Sequence, residues 1–209
     1  MKNQTALSRL IAAALAVAAL APVAAQAEEG PFQVRVRAVN VDPANKDDVS
    51  ITDVSLNSKI IPEVDFTYFI TPNIAAELIL TYPQKHDVSS SAHGGKIGTL
   101  RHLPPTLTAQ YHFLPTGQIR PYVGAGINYT NITTVSFTYP GTETLNVDRG
   151  SFGLAFQAGV DIQVAPKVFV NIDVKKVNIQ TNLRASDGTD LGKIKVDPTL
   201  VGVGVGYRF

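Results

Sequence analysis

The 209-residue chain contains no cysteine, so neither a disulfide nor a thiolate-held metal can stabilise its fold. It has no excess of one charge. Its 18 Lys and Arg against 17 Asp and Glu give a formal +1, and the basic residues are scattered along the chain. That excludes the concentrated basic surface that nucleic acid requires. Long apolar runs are scarce too: the run at 10–21 is twelve residues, short of the roughly 20 needed to cross about 30 Å of hydrocarbon as a helix. Lys2 and Arg9 precede or open that run, and Ala25-Gln26-Ala27 follows it in the small-x-small form of a cleavage site. Residues 1–27 therefore read as a signal peptide and Glu28 as the mature start. No linker or composition shift divides residues 28–209, which read as one domain.

What is present is a period of two almost everywhere, the mark of strands whose two faces meet different surroundings. Phe32, Val34, Val36 and Ala38 alternate with Gln33, Arg35 and Arg37, and Val64, Phe66, Tyr68 and Ile70 with Glu63, Asp65, Thr67 and Phe69. Ile74 to Tyr82 opposes Ala75, Glu77, Ile79 and Thr81, while Leu103 to Phe113 opposes Thr106, Thr108, Gln110 and His112. Four further strands follow: 120–129, 152–164, 168–175 and 201–209. On the last of these, Val201, Val203, Val205, Tyr207 and Phe209 stand against Gly202, Gly204, Gly206 and Arg208.

The eight strands are joined alternately by short turns, at 71–73, 114–118 and 165–167, and by polar stretches at 42–59, 83–101, 130–149 and 180–198. An antiparallel transmembrane β-barrel, all-β with short periplasmic turns and long extracellular loops, has this asymmetry. A soluble sandwich also alternates, but three features favour lipid. The apolar sets have eight to eleven residues per strand, near the roughly 9–11 that a tilted strand needs to cross. Aromatics cluster at the short-turn rim (Tyr68, Phe69, Tyr111, Phe113, Tyr122, Phe169, Tyr207, Phe209) as an interfacial girdle. The chain also finishes on Tyr207-Arg208-Phe209, a terminal aromatic that resembles the signal read by the outer-membrane assembly machinery.

Arg101-His102-Leu103-Pro104-Pro105-Thr106-Leu107 and the run from Arg120-Pro121-Tyr122-Val123-Gly124 through Asn128-Tyr129-Thr130 resemble the OmpW family of outer-membrane proteins. The resemblance extends to Thr71-Pro72-Asn73-Ile74, Glu77, Gly159-Val160-Asp161, Asn171 and Gly206-Tyr207-Arg208-Phe209. It implies an eight-stranded barrel in the cell outer membrane with a narrow hydrophobic channel or pocket admitting small hydrophobic ligands, some relatives being linked to alkane uptake. The chain departs from the family in having no Trp, and in Lys175, where relatives can carry an aromatic.

By strand parity Phe69 and Ile79 are apolar residues on lumen-facing series. They either narrow and dewet a channel or simply fill a small barrel. Arg35, Arg37, Glu63, Asp65, Glu77, Arg120, Asp161, Asp173, Lys175 and Arg208 face inward together, and in a small lumen such charges pair structurally more often than they conduct ions. The glycines at 124, 126, 153, 159, 202, 204 and 206 are expected to leave room for long side chains crossing from opposite strands. His86, His93, His102 and His112 lack metal-ligand spacing and read as solvated loop residues. No nucleophile or paired-carboxylate arrangement is recognisable, so neither an enzyme nor a cofactor is expected. Val49, Ile51, Val54 and Leu56 supply a candidate apolar entrance in the first long loop. The expected function is passive entry of small hydrophobic molecules through the outer membrane. Its rivals are a closed barrel serving as a structural or adhesive surface module and, more remotely, a soluble periplasmic lipid carrier.

Overall fold

The computed structural model describes residues 29–44, 46–47, 54–56, 58–81, 84–90, 95–137, 146–147, 150–184 and 190–209. In chain order its strands are β1 (Phe32–Asp42), β2 (Lys46–Asp47), β3 (Val54–Leu56), β4 (Lys59–Phe69), β5 (Ile74–Thr81), β6 (Gln84–Ser90), β7 (Gly95–Leu103), β8 (Thr106–His112), β9 (Ile119–Phe137), β10 (Asn146–Val147), β11 (Gly150–Ala165), β12 (Val168–Val177), β13 (Gln180–Arg184), β14 (Asp190–Lys195) and β15 (Thr199–Arg208). Eight of these, in the order β11-β12-β15-β1-β4-β5-β8-β9, form an antiparallel sheet that closes through β9–β11 pairing. Closure removes the open edge, whose unpaired amides would each cost several kcal/mol in hydrocarbon.

Alternation has put the polar side chains inside and the apolar ones outside. Arg35, Asp65, Glu77 and Asn128 are fully enclosed, whereas Phe66, Val36, Ile127, Leu154, Phe156, Val174 and Val203 stand exposed around the wall. A water-soluble fold would carry the reverse arrangement, so this belt is the surface that meets lipid.

The short turns lie where the sequence places them. Pro166 and Lys167 join β11 to β12, with Lys167 at φ 64°, the left-handed second position that a turn led by proline allows. At the opposite rim the structure departs from expectation, because the polar stretches read as loops carry strands. β9 continues to Phe137 and pairs there with β7, which pairs with β6, and β6 with β3. A separate four-stranded sheet, β10-β13-β14-β2, forms from other parts of the same rim. Alternation in these segments is masked by Ser, Thr, Asp and Gly, so both faces look polar in the sequence.

The aromatic girdle also needs correcting. Tyr68, Tyr111, Phe113, Tyr207 and Phe209 face outward and are joined by Phe32, whose ring lies 5.0 Å from that of Tyr68 and 6.3 Å from that of Phe209. Phe69, Tyr122 and Phe169 are buried inside the barrel. Strand parity thus divides the aromatics near this rim into an outward and an inward set.

Candidate functional site

The lumen is built in three layers. The middle one is a charge network. Register places Arg35 beside Asp65 and Arg37 beside Glu63 on β4, with Gly206 and Gly204 at the same levels on β15. Arg35 reaches Asp65 at 3.1 Å, Glu77 at 3.1 Å and Asp161 at 2.6 Å, and also donates to Thr67 Oγ1 at 2.8 Å. Arg37 reaches Glu63 at 3.0 Å, Asp65 at 2.9 Å, Glu77 at 2.9 Å and Asp173 at 3.5 Å. Lys175 closes the set on Glu63 at 2.6 Å and Asp173 at 3.1 Å.

Neutral residues from the remaining strands add hydrogen bonds to this network, while Arg37 Nε, Gln157 Oε1 and Asn171 Oδ1 stay without a hydrogen-bond partner. Gln110 and Gln157 donate to Glu77 Oε2 at 2.8 and 2.7 Å, Tyr122 donates to Asp173 at 2.8 Å, and Asn171 donates to Asp161 at 2.8 Å. A charge removed from water at this depth is tolerable only when paired and hydrogen-bonded. The two arginine side chains are 0% exposed, so the network is a plug across the barrel.

The glycines of β15 make this plug possible, but by a route other than the expected one. A Cβ on Gly204 would run into the Val36 carbonyl oxygen and lie 2.8 Å from Arg37 Cγ, and one on Gly206 would lie 3.1 Å from Arg35 Cγ. The room is made for side chains of the adjacent strand β1 rather than for chains crossing from opposite.

Below the plug, at the short-turn end, Arg120 and Arg208 leave the main network. Both converge on Glu29, Arg120 at 2.5 Å and Arg208 at 3.3 Å, and Gln163 accepts from Arg120 at 3.1 Å. Arg208 lies 3.8 Å above the Phe69 ring and Arg120 4.7 Å above Phe169. His112 is buried between the rings of Phe69 and Tyr122, at 4.9 and 5.1 Å, and bonds Gln110 at 3.1 Å. It is therefore a lumen residue and not a solvated loop histidine. Strand parity with Thr108 and Gln110 carries that information. The side chains of His86 and His102, and all of His93, lie outside the described residues.

Above the plug the lumen turns apolar. Val39, Val41, Ile61, Val177, Ile179 and Leu200 form one buried cluster, and beside it lies a cavity of about 30 Å³ with Ile79, Thr81, Pro104, Thr106 and Asn128 on its wall and Glu63 and Lys175 at its base. About 10–15 Å³ is enough for one water, so the cavity has room for about two or three. The two apolar candidates are thus separated: Ile79 lines this cavity, and Phe69 sits beneath the plug against Arg208.

The cavity residues carry a sequence signal in strand parity. Val39 and Val41 continue the inward series of Arg35 and Arg37, Ile61 that of Glu63, and Val177 and Ile179 that of Lys175. Following parity past the last charge exposes an apolar upper lumen. Glu29 gave no such signal, because it precedes the first strand.

One wall of the cavity is interrupted at Pro104 and Pro105, which lie between β7 and β8 and outside any strand. Among the described residues, pairing of the arms β5–β6 and β7–β8 includes Ile79 with Thr106 and Gln84 with His102. Neither proline has an N–H to give a ladder. Of the proposed entrance residues, Val49 and Ile51 fall outside the described residues, and Val54 and Leu56 lie on β3, paired with β6. Among the described residues no cluster of His, Asp or Glu is arranged to hold a metal.

Comparison with known proteins matches the OmpW family model over residues 28–209. The chain is 43% identical to an uncharacterized outer-membrane protein, y4mB, of Sinorhizobium fredii, covering 90% of this chain and 86% of that one. It is 28% identical to the dibenzothiophene metabolism operon protein DoxH of a Pseudomonas strain, over 88% and 90%. Among solved structures, the outer-membrane protein OprG of Pseudomonas aeruginosa superposes with a TM-score of 0.74 at 24% identity, over 89% of this chain and 99% of that one.

Proposed function

The chain belongs to the OmpW family of outer-membrane proteins, and from that premise we propose that it admits small hydrophobic molecules through its upper lumen. The observation that carries this reading is the apolar cavity seated on a sealed polar floor. An apolar molecule gains by leaving water for such a cavity at roughly 25 cal/mol per Å². It gains nothing by crossing the charge network below. The way out is therefore sideways into the bilayer, through the interrupted wall beside Pro104, and Ile79 guards that path rather than an axial channel. The name of the relative DoxH, from a dibenzothiophene metabolism operon, is consistent with an apolar cargo.

The remaining parts fit around this passage. We propose further that the entrance lies on the side of residues 42–59, that residues 1–27 are removed on export, and that Tyr207 and Phe209 are read by the outer-membrane assembly machinery. No catalytic step is involved. The rival, a closed surface module, shares the plug but has no use for an apolar cavity. Neither reading predicts steady ion conductance, so uptake separates them. Cells with and without the protein, supplied with alkanes of graded length, should differ in a length-dependent way; equal rates would leave the surface module.

A further inference from the structure

Among the polar side chains on the cavity wall, Thr81 differs from its neighbours. Its Oγ1 is buried without a hydrogen-bond partner. Thr106 Oγ1 accepts from Asn128 at 2.8 Å and donates to the Pro104 carbonyl at 3.3 Å, and Asn128 Oδ1 accepts from Thr130 at 2.7 Å. Glu63 and Lys175 bind each other. A buried hydroxyl left unpaired is costly, and Thr81 lines the apolar cavity together with Pro104.

The base of the cavity also discriminates by charge. Among the described residues of the plug, Glu63, Asp65, Glu77, Asp161 and Asp173 outnumber Arg35, Arg37 and Lys175, and each of the three cations already contacts at least two carboxylates. An anionic head entering the cavity would meet no uncommitted cation there.

We propose that the cavity selects neutral oxygen-bearing amphiphiles, such as alcohols, with Thr81 as the contact for the head, over alkanes and over carboxylates of equal chain length. This rests on the passage reading above. A ligand oxygen accepts from the Thr81 hydroxyl while its chain lies against Val41, Ile61 and Leu200.

The test uses initial uptake of octane, 1-octanol and octanoate, each corrected for cells lacking the protein, with wild type and the near-isosteric Thr81→Val variant. One neutral hydrogen bond corresponds to a factor of about two to ten, so the octanol-to-octane ratio should fall by that factor in the variant, and octanoate should show no protein-dependent entry in either. Retained octane uptake in the variant shows that the barrel has folded. A ratio that does not move, as when only a water serves Thr81, overturns the headgroup assignment. Octanoate entering as fast as octanol overturns the charge argument. If neither octane nor octanol depends on the protein, the passage reading itself falls and takes this inference with it.

Discussion

Replacing Arg35 with methionine keeps an unbranched stem and removes the guanidinium. The consequences fall unequally on its three carboxylates. Asp65 retains Arg37 at 2.9 Å, and Glu77 retains Arg37 at 2.9 Å together with Gln110 and Gln157. Asp161 loses its 2.6 Å partner and keeps only neutral donors, Asn171 at 2.8 Å and Gln33 at 3.4 Å. A buried charge stripped of its partner costs about 3–5 kcal/mol, and most of that should arise at Asp161. Adding Asp161→Asn removes the stranded charge, so the double variant should be more stable than the sum of the two single changes predicts, by about 2 kcal/mol. Denaturant titration of the folded barrel in lipid vesicles, followed by circular dichroism, measures all three variants. A loss below about 1 kcal/mol for Arg35→Met, the range of exposed ion pairs, would refute the claim that the plug is dry and closed. Strict additivity would refute the assignment of the cost to Asp161.

Two further outcomes follow from the barrel's construction. Gly204→Val should prevent β1 from docking on β15, since the new side chain meets the Val36 carbonyl and Arg37 backbone, whereas Gly202→Ala, whose Cβ would meet first a Val39 methyl at 3.2 Å, should still assemble; the folded fraction on a semi-native gel distinguishes them. Phe209→Ala should lower the amount of folded protein in the outer membrane of cells yet leave refolding of purified chain into vesicles nearly unchanged, because the ring is exposed and packs only at the rim. Equal losses in both settings would make Phe209 a structural residue and not an assembly signal.

The barrel was legible because the inward ionisable residues of β1, β4 and β12 have apolar outward neighbours through the middle of each strand: Arg35 and Arg37 alternate with Val34, Val36 and Ala38, Glu63 and Asp65 with Pro62, Val64 and Phe66, and Asp173 with Ile172 and Val174. The charge network was legible as a set of inward residues, but its division was not. Arg120 and Arg208 belong to a floor organised by Glu29, which precedes the first strand and carries no alternation. The upper cavity was missed for a different reason. Val39 and Val41 flank Asn40, and Val177 and Ile179 alternate with Lys176, Asn178 and Gln180, so the alternation changes sign where the lumen changes character, and only register across strands shows that these apolar residues meet. The rim hairpins were hidden by polar residues on both faces, as expected of strands standing above the membrane in water.

The proposed passage is the cavity above the plug and not an axial channel through it. Ile79→Trp fills that cavity, while Phe69→Ala opens space beneath the plug at the Arg208 contact. The most direct measurement is octane uptake by cells expressing each variant at matched levels of folded protein. Passage through the cavity requires that Ile79→Trp fall to the rate of cells lacking the protein and that Phe69→Ala match wild type. Faster entry through Phe69→Ala, or undiminished entry through Ile79→Trp, would contradict it and place the route along the barrel axis or outside the cavity.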